Sequence, residues 1–149
     1  MADPGSGPYV NGAFFCERTL REVDGTTSAI RMIDRITIQQ LGGSTLGPTP
    51  PALASNPMPL ELFVGLKSGS ARGSHLITIT MERPSGFRQD VISISVLFEG
   101  EERGVNLVSA LAFQAEEEGL HWFDVIMEDR LLTRIPLRVV IQTQIFGGQ

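Results

Sequence analysis

The chain has 149 residues, of which 42% are hydrophobic, and its formal net charge is −5. This length suits one hydrophobic core and is short for two ordinary domains. Because Lys and Arg are scattered singly in an acidic chain, most of the surface would repel a nucleic-acid backbone. No apolar run approaches the roughly 20 residues that span a bilayer, and the first residues carry no signal-peptide pattern. We therefore expect a cytoplasmic protein that binds neither nucleic acid nor a membrane.

The N-terminal part of the chain predicts a flexible lead-in followed by a hairpin. Residues 1–12 are rich in Gly and Pro and precede a single domain predicted to span residues 13–145. Two β-like runs, at 14–23 and 28–39, flank the Asp24-Gly25 pair. Asp-Gly between two such runs favours a tight turn, because Gly accepts a positive φ without a Cβ clash.

The second of these runs places a carboxylate among apolar side chains. A strict alternation in this run puts Asp34 on the same face as four apolar residues, namely Ile30, Met32, Ile36 and Ile38. An unpaired carboxylate is costly on a buried face. We therefore expect Asp34 to be buried or half-buried beside an arginine, with Arg18, Arg35 and Arg134 as the candidates.

Residues 41–59 form a proline-rich crossover. Its five prolines exclude both a helix and a central strand. A long loop of this kind is a candidate surface for partners, and the alternative is a simple connection from one sheet to the other.

The remaining sequence continues the β pattern. Further strands are predicted at 60–66, 74–82, 90–98 and 105–113, and a final hairpin pairs residues 119–125 with 131–141. Residues 107–118 could also form a short helix, but the spacing of the neighbouring strands favours a strand. The expected fold is an all-β, two-sheet antiparallel Ig-like sandwich of about eight strands. The residues expected to share its core are Ile92, Ile94, Val96, Phe123, Val125, Ile135, Leu137 and Val139.

The chain offers no pattern typical of catalysis or of metal binding. Its two histidines, His75 and His121, belong to no metal-ligand spacing, and no nucleophile elbow or phosphate loop is present. Cys16 lies in an apolar run, where a small buried side chain is the simpler interpretation. We therefore expect no enzyme activity, no cofactor and no metal.

Two further features have structural interpretations. His121 follows Gly119 at the place where the Ig-like strand pattern often carries a tyrosine that bonds back to a corner of the sandwich, which favours a packing role. The acidic clusters at 99–102 and 116–118 favour solvated loops, because consecutive Glu side chains diverge and do not form a calcium cage.

The C-terminus ends in Gly147, Gly148 and one further residue. A strand that runs out into Gly-Gly is similar to the tail of ubiquitin-like modifiers, which activating enzymes thread through a narrow channel. Such a modifier would be processed after Gly148 and joined to lysines of its targets. The alternative for residues 146–149 is an ordinary flexible end.

Residues 16–37 and 119–140 resemble an uncharacterised bacterial domain-of-unknown-function family. The resemblance implies a small cytoplasmic β-sandwich protein and no activity, cofactor or site residue. Two hypotheses follow. The first is a non-catalytic β-sandwich that binds a protein partner or forms a homo-oligomer through a sheet edge or the crossover. The second is a modifier in a bacterial conjugation pathway, with activating and conjugating enzymes as its partners.

Overall fold

The computed structural model describes residues 7–41 and 57–144. In this part of the chain the structure is all-β, with no helix. Its nine strands are β1 (Tyr9–Arg21), β2 (Thr27–Ile33), β3 (Arg35–Leu41), β4 (Met58–Lys67), β5 (Arg72–Glu82), β6 (Arg88–Glu99), β7 (Gly104–Phe113), β8 (Gly119–Met127) and β9 (Arg130–Gln144).

The strands form two sheets. Sheet A has the order β2-β1-β4-β7, and sheet B has the order β3-β9-β8-β5-β6. The expectation of purely antiparallel sheets was wrong for one pair, because β3 runs parallel to β9. The number of strands also differs from the expected eight. The reason is that the predicted run 28–39 divides into β2 and β3, which belong to different sheets.

The core lies between the two sheets. Alternate residues of strands such as β7 and β8 point inward, and Phe15 of sheet A meets Phe123 of sheet B edge-on, with ring centroids 4.7 Å apart. Phe113 at the end of β7 also lies against Phe123, with ring centroids 6.2 Å apart. Burying such large rings contributes strongly to the stability of a small domain. Six of the expected core residues are buried as predicted: Val96, Phe123, Val125, Ile135, Leu137 and Val139.

The two remaining core predictions concern β6. Ile92 is half-buried against the core, but the prediction for Ile94 was wrong, since this side chain is 44% exposed. Ile94 is paired with the fully buried Ile77 of β5 and so lies on the same face. β6 is an edge strand of sheet B, with no strand beyond it in the described residues, and this leaves the side chain partly open to solvent.

The hairpin predicted at Asp24-Gly25 is confirmed. β1 and β2 pair in antiparallel fashion around it, and Gly25 has a φ of 87°. The Gly25 amide donates to the carbonyl of Glu22 at 2.9 Å. Asp24 Oδ1 accepts bonds from both the amide and the hydroxyl of Thr26, which fixes the turn.

The prediction for Asp34 was wrong. Asp34 lies exposed in the bend between β2 and β3, where the chain leaves sheet A for sheet B. Its backbone carbonyl accepts a bond from the Arg138 amide at 3.1 Å. The alternation fails in β2, where Arg31 has a positive φ of 57° and Met32 is 68% exposed. A strict period of two therefore does not continue across this segment.

The ends of the predicted segments also shift. β1 begins at Tyr9, so residues 9–12 of the expected lead-in belong to a strand. The crossover joins β3 of sheet B to β4 of sheet A, and thus carries the chain from one sheet to the other. Most of the crossover, residues 42–56, lies outside the described residues. Its role as a partner surface therefore stays a prediction.

Candidate interaction site at a sheet edge

Strand β7 forms one edge of sheet A. It is ten residues long and contains no charged residue and no proline. All ten pair with β4 in one continuous antiparallel register, from Met58 opposite Phe113 to Lys67 opposite Gly104. The opposite side of β7 has no strand in the described structure. Its free backbone N–H and C=O groups can therefore accept another strand.

The other three edge strands of the described sheets carry features that discourage pairing. In β6 the register shifts opposite Ile79, and Arg88 and Asp90 lie near its start. In β2 the residue Arg31 has a positive φ. β3 has only seven residues and begins with Arg35. Charges, bulges and short length are the usual protections of an edge strand. β7 has none of them.

An inner cleft opens beside the second half of β7. It has a volume of about 260 Å³ and lies between the inner faces of β7 and of the start of β6. Near the other end of β6, Val96 and Phe98 are buried, whereas Ile94 is exposed. Ile94, in the middle of β6, is therefore more exposed than the inward-facing side chains on either side of it, Ile92 and Val96. The inner cleft is lined by apolar residues of four strands, namely Met81, Val91, Leu111, Ala112, Phe113 and Phe123, and by the polar residues Arg83, Gln89, Gln114 and Glu116.

An outer groove flanks the first half of β7. Cys16 points to the outer face of sheet A, opposite to its neighbour Phe15, and is nevertheless fully buried. On this face the hydroxyl of Thr19 donates to Glu61 Oε2 at 2.6 Å, and the β1–β2 hairpin bends over sheet A, since Gly25 and Thr27 line one groove with Asn106 and Val108 of β7. The tip of the hairpin thus approaches β7. The outer groove between them has a volume of about 480 Å³ and is lined by Thr19, Leu20, Arg21, Gly25, Thr27, Asn106 and Val108.

The two depressions differ in charge. The mouth of the inner cleft is neutral, because Arg83 forms an ion pair with Glu116 at 2.9 Å and both line it. The outer groove contains one cation, Arg21. No carboxylate of residues 7–41 and 57–144 forms an ion pair with Arg21. Side chains entering from β7's free side therefore meet a cleft of mixed polarity without net charge on one face and an unpaired positive charge on the other.

A second cluster lies on the outer face of sheet B. Asp124 is 5% exposed and accepts bonds from Arg134 Nε at 2.6 Å and Arg88 Nη2 at 3.0 Å. Glu82 contacts both guanidinium groups, and Arg134 also stacks on Trp122 at 4.7 Å. Two carboxylates and two guanidinium groups balance one another. The cluster thus holds four strands together and leaves no charge unpaired. Sequence reasoning missed it because its members come from four separate strands.

The two histidines have different environments. His75 Nδ1 lies 3.0 Å from Glu128 Oε1, and its Nε2 lies 3.0 Å from the carbonyl of Arg72. Both partners are acceptors, and the bond to Glu128 is the main reason why the pKa of His75 is raised. His121 is buried against Phe113, with its Nδ1 3.3 Å from the Gly119 carbonyl. Burial lowers its pKa. The packing role expected of His121 agrees with this geometry.

The acidic residues at 116–118 are bonded to their neighbours. Beyond the ion pair of Glu116, the carboxylate of Glu117 accepts from the amide and hydroxyl of Ser85, and Glu118 accepts from the Ile141 amide. They thus fix the β7–β8 connection to the β5–β6 turn and to β9, which solvated loop charges would not do. At Cys16, burial raises the pKa of the thiol. Cys16 is a buried free thiol, as the sequence indicates.

The other predicted features give no site in the part of the chain that the structure describes. Gly147 and Gly148, the possible conjugation tail, lie outside the described residues. In residues 7–41 and 57–144, no group of three or more His, Cys, Asp or Glu side chains could hold a metal ion. The same ranges contain no helix long and apolar enough to cross a membrane.

Comparisons with known proteins concern the fold. No family model and no curated protein matches the chain. A solved structure of an alkylpurine DNA glycosylase from Pseudomonas fluorescens, bound to DNA containing an abasic site analog, is similar with a TM-score of 0.50 and 9% identity, over 89% of this chain and 30% of that one. A β-glucosidase from Listeria innocua in complex with gluconolactone is similar with a TM-score of 0.49 and 10% identity, over 91% of this chain and 17% of that one.

An immunoglobulin-like protein from Pseudomonas aeruginosa is also similar, with a TM-score of 0.43 and 16% identity, over 92% of this chain and 99% of that one. The chain spans less than a third of the glycosylase and glucosidase chains. At such low identities, a likeness concerns the fold alone.

Proposed function

We propose that this chain is a non-catalytic binding protein with an Ig-like sandwich fold, and that it binds partners by adding their strand to the free edge of β7. The observation that carries the proposal is β7 itself, a ten-residue edge strand without charge, proline or bulge. Main-chain hydrogen bonds along such an edge provide affinity that is independent of sequence.

The order of the strands supports the Ig-like assignment. Ig-type sandwiches place strands C, F and G side by side in that order in one sheet and the neighbouring pair B-E in the other. Here β5, β8 and β9 are neighbours in that order in sheet B, and β4 pairs with β7 in sheet A. β6 follows β5 at the edge of sheet B, as the additional strand of variable-type domains does. In this arrangement β7 occupies the place of strand E without a strand D beyond it.

The two depressions beside β7 favour an extended partner. Successive side chains of a strand point to opposite faces, so a strand added to β7 sends alternate residues inward and outward. The inward residues would reach the inner cleft and cover Ile94, and the outward residues would reach the outer groove. Main-chain pairing with pockets for alternate side chains is the usual arrangement of strand-addition sites.

A selection experiment tests this proposal. The purified protein is used to select from a display library of random segments of about ten residues, and the enriched segments are synthesised. Strand addition needs the peptide's amides on one edge only, because alternate amides point to opposite sides. N-methylation of one alternate set of amides should therefore abolish binding, and N-methylation of the other set should leave it nearly unchanged.

The two methylated peptides have identical side chains and serve as controls for each other. Equal binding of both would contradict strand addition, because it would show that side chains alone hold the segment. A library that yields no binder would contradict the proposal as well.

A further inference from the structure

Arg21 provides a specific feature of the outer groove. It lies at the end of β1, in the hairpin that bends over sheet A, and lines the groove together with Val108 of β7. Arg31 of the same hairpin pairs with Glu17 at 3.3 Å. Among the described residues Arg21 has no ion-pair partner. A carboxylate arriving from the free side of β7 would find this cation available.

The positions of two residues in β7 fix how the outer groove, which contains Arg21, is spaced from the inner cleft. Leu111 lines the inner cleft and Val108 lines the outer groove, and the two residues are three positions apart on opposite faces. In an antiparallel added strand, a residue opposite Leu111 points into the inner cleft. The residue three positions later is opposite Val108 and points into the outer groove. One segment can therefore fill both depressions at a fixed spacing.

We infer that the partner segment runs antiparallel to β7 and carries an apolar residue opposite Leu111 and an acidic residue three positions later, opposite Val108. This inference rests on the proposed function, since it assigns the chemistry of the strand that β7 accepts. The apolar residue covers surface in the inner cleft and the carboxylate pairs with Arg21. The segment is thus defined by the three-residue spacing between its apolar and its acidic residue and by the negative charge of the latter.

A second copy of the chain fits this description poorly. Pairing of β7 with another β7 around a two-fold axis would place only uncharged residues beside the groove, because β7 contains no acid. Arg21 would then stay unpaired. The occupant is therefore an extended segment of a different protein.

Two synthetic peptides test the inference. In both peptides valine and threonine alternate over about ten residues. One threonine, three residues after a valine and on the outward face, is replaced by aspartate in one peptide and by lysine in the other. Fluorescence anisotropy of the labelled peptides gives their affinities for the wild-type protein, Arg21→Glu and Arg138→Glu. Arg138 is an exposed arginine of β9, so its replacement makes the same change of charge away from β7.

We expect the aspartate peptide to bind the wild type about fivefold more tightly than the lysine peptide, the size of an exposed ion pair. Arg21→Glu should reverse this preference and Arg138→Glu should leave it unchanged. Equal binding of both peptides, together with protection of β7 amides from hydrogen exchange, would overturn the acidic assignment and leave strand addition intact. Binding of neither peptide, or protection of the amides of another strand, would overturn both the assignment and strand addition at β7.

Discussion

At the scale of single residues, Asp124 shows how a carboxylate can lie on a sheet face and still stabilise the fold. It is nearly buried, and each of its oxygens accepts a bond from an arginine of a neighbouring strand. The sequence pattern pointed instead to Asp34, which lies exposed at a bend. Both aspartates interrupt apolar runs, and only the pairing of distant strands decides which of them meets arginines.

Removal of the Asp124 carboxylate should lower the free energy of unfolding. We expect Asp124→Ala to cost about 2 kcal/mol, because bonds to charged groups are lost while both half-exposed arginines regain water. Urea denaturation measures the change. Glu101→Ala is the control, since Glu101 is 72% exposed and 3.9 Å from Arg72, and it should change the stability by less than about 0.5 kcal/mol. Equal effects of the two substitutions would contradict the role of Asp124.

The two histidines should titrate on opposite sides of the usual histidine pKa, about 6.5. The pKa of His75 is raised mainly by its bond to Glu128, and that of His121 is lowered by burial. The stability from His75 is therefore present below pH of about 6.5 and is lost as pH rises through its folded pKa. The stability from keeping His121 neutral is present above about 6.5 and is lost as pH falls through its folded pKa.

NMR titration of the imidazole ring signals measures both values in one experiment. His75→Gln and His121→Gln assign the two sets of signals. A pKa of His121 above that of His75 would show that the environments of the two rings are assigned wrongly.

At the scale of elements, the β1–β2 hairpin shapes one side of the candidate site. Gly25 at its turn has a φ of 87°, and a Cβ added there would meet no atom within 4 Å. The cost of Gly25→Ala is therefore purely conformational, and we expect about 1 kcal/mol. Gly12→Ala is the matched control, because Gly12 is equally open and has no positive φ.

Thermal or urea denaturation of the two variants checks this difference. Gly12→Ala should be neutral or slightly stabilising, since alanine restricts the unfolded chain. If both substitutions had the same effect, the left-handed turn at Gly25 would not be what sets the end of the hairpin.

The strands themselves could be predicted from the sequence, because alternation and turn residues are local signals. Asp24-Gly25 marked the first hairpin and the apolar alternation after Gly119 marked the last one. The partner of each strand could not be predicted in the same way. The parallel pairing of β3 with β9 depends on a bend at Asp34 and on a strand about a hundred residues away in the chain. The exposure of Ile94 depends on what lies across from it in the other sheet.

At the scale of the whole molecule, the site results from how the two sheets end. Within the described residues sheet A has four strands and sheet B has five, and one of the two edges of sheet A is the uncharged β7. The sequence analysis proposed binding through a sheet edge in general. The strand pattern alone does not single out β7, because the residues beside it come from the hairpin tip, from β6 and from β8.

Residue-resolved hydrogen exchange, measured with and without a selected segment, tests strand addition at β7 most directly. In the free protein, the amides of β7 that point away from β4 should exchange rapidly, and their alternate neighbours should be protected by the pairing with β4. Binding of the segment should protect the rapidly exchanging set from Val105 to Ala112 and leave the edges β2, β3 and β6 unchanged. Protection at one of those edges, or no new protection in β7, would contradict the assignment of β7 as the binding edge.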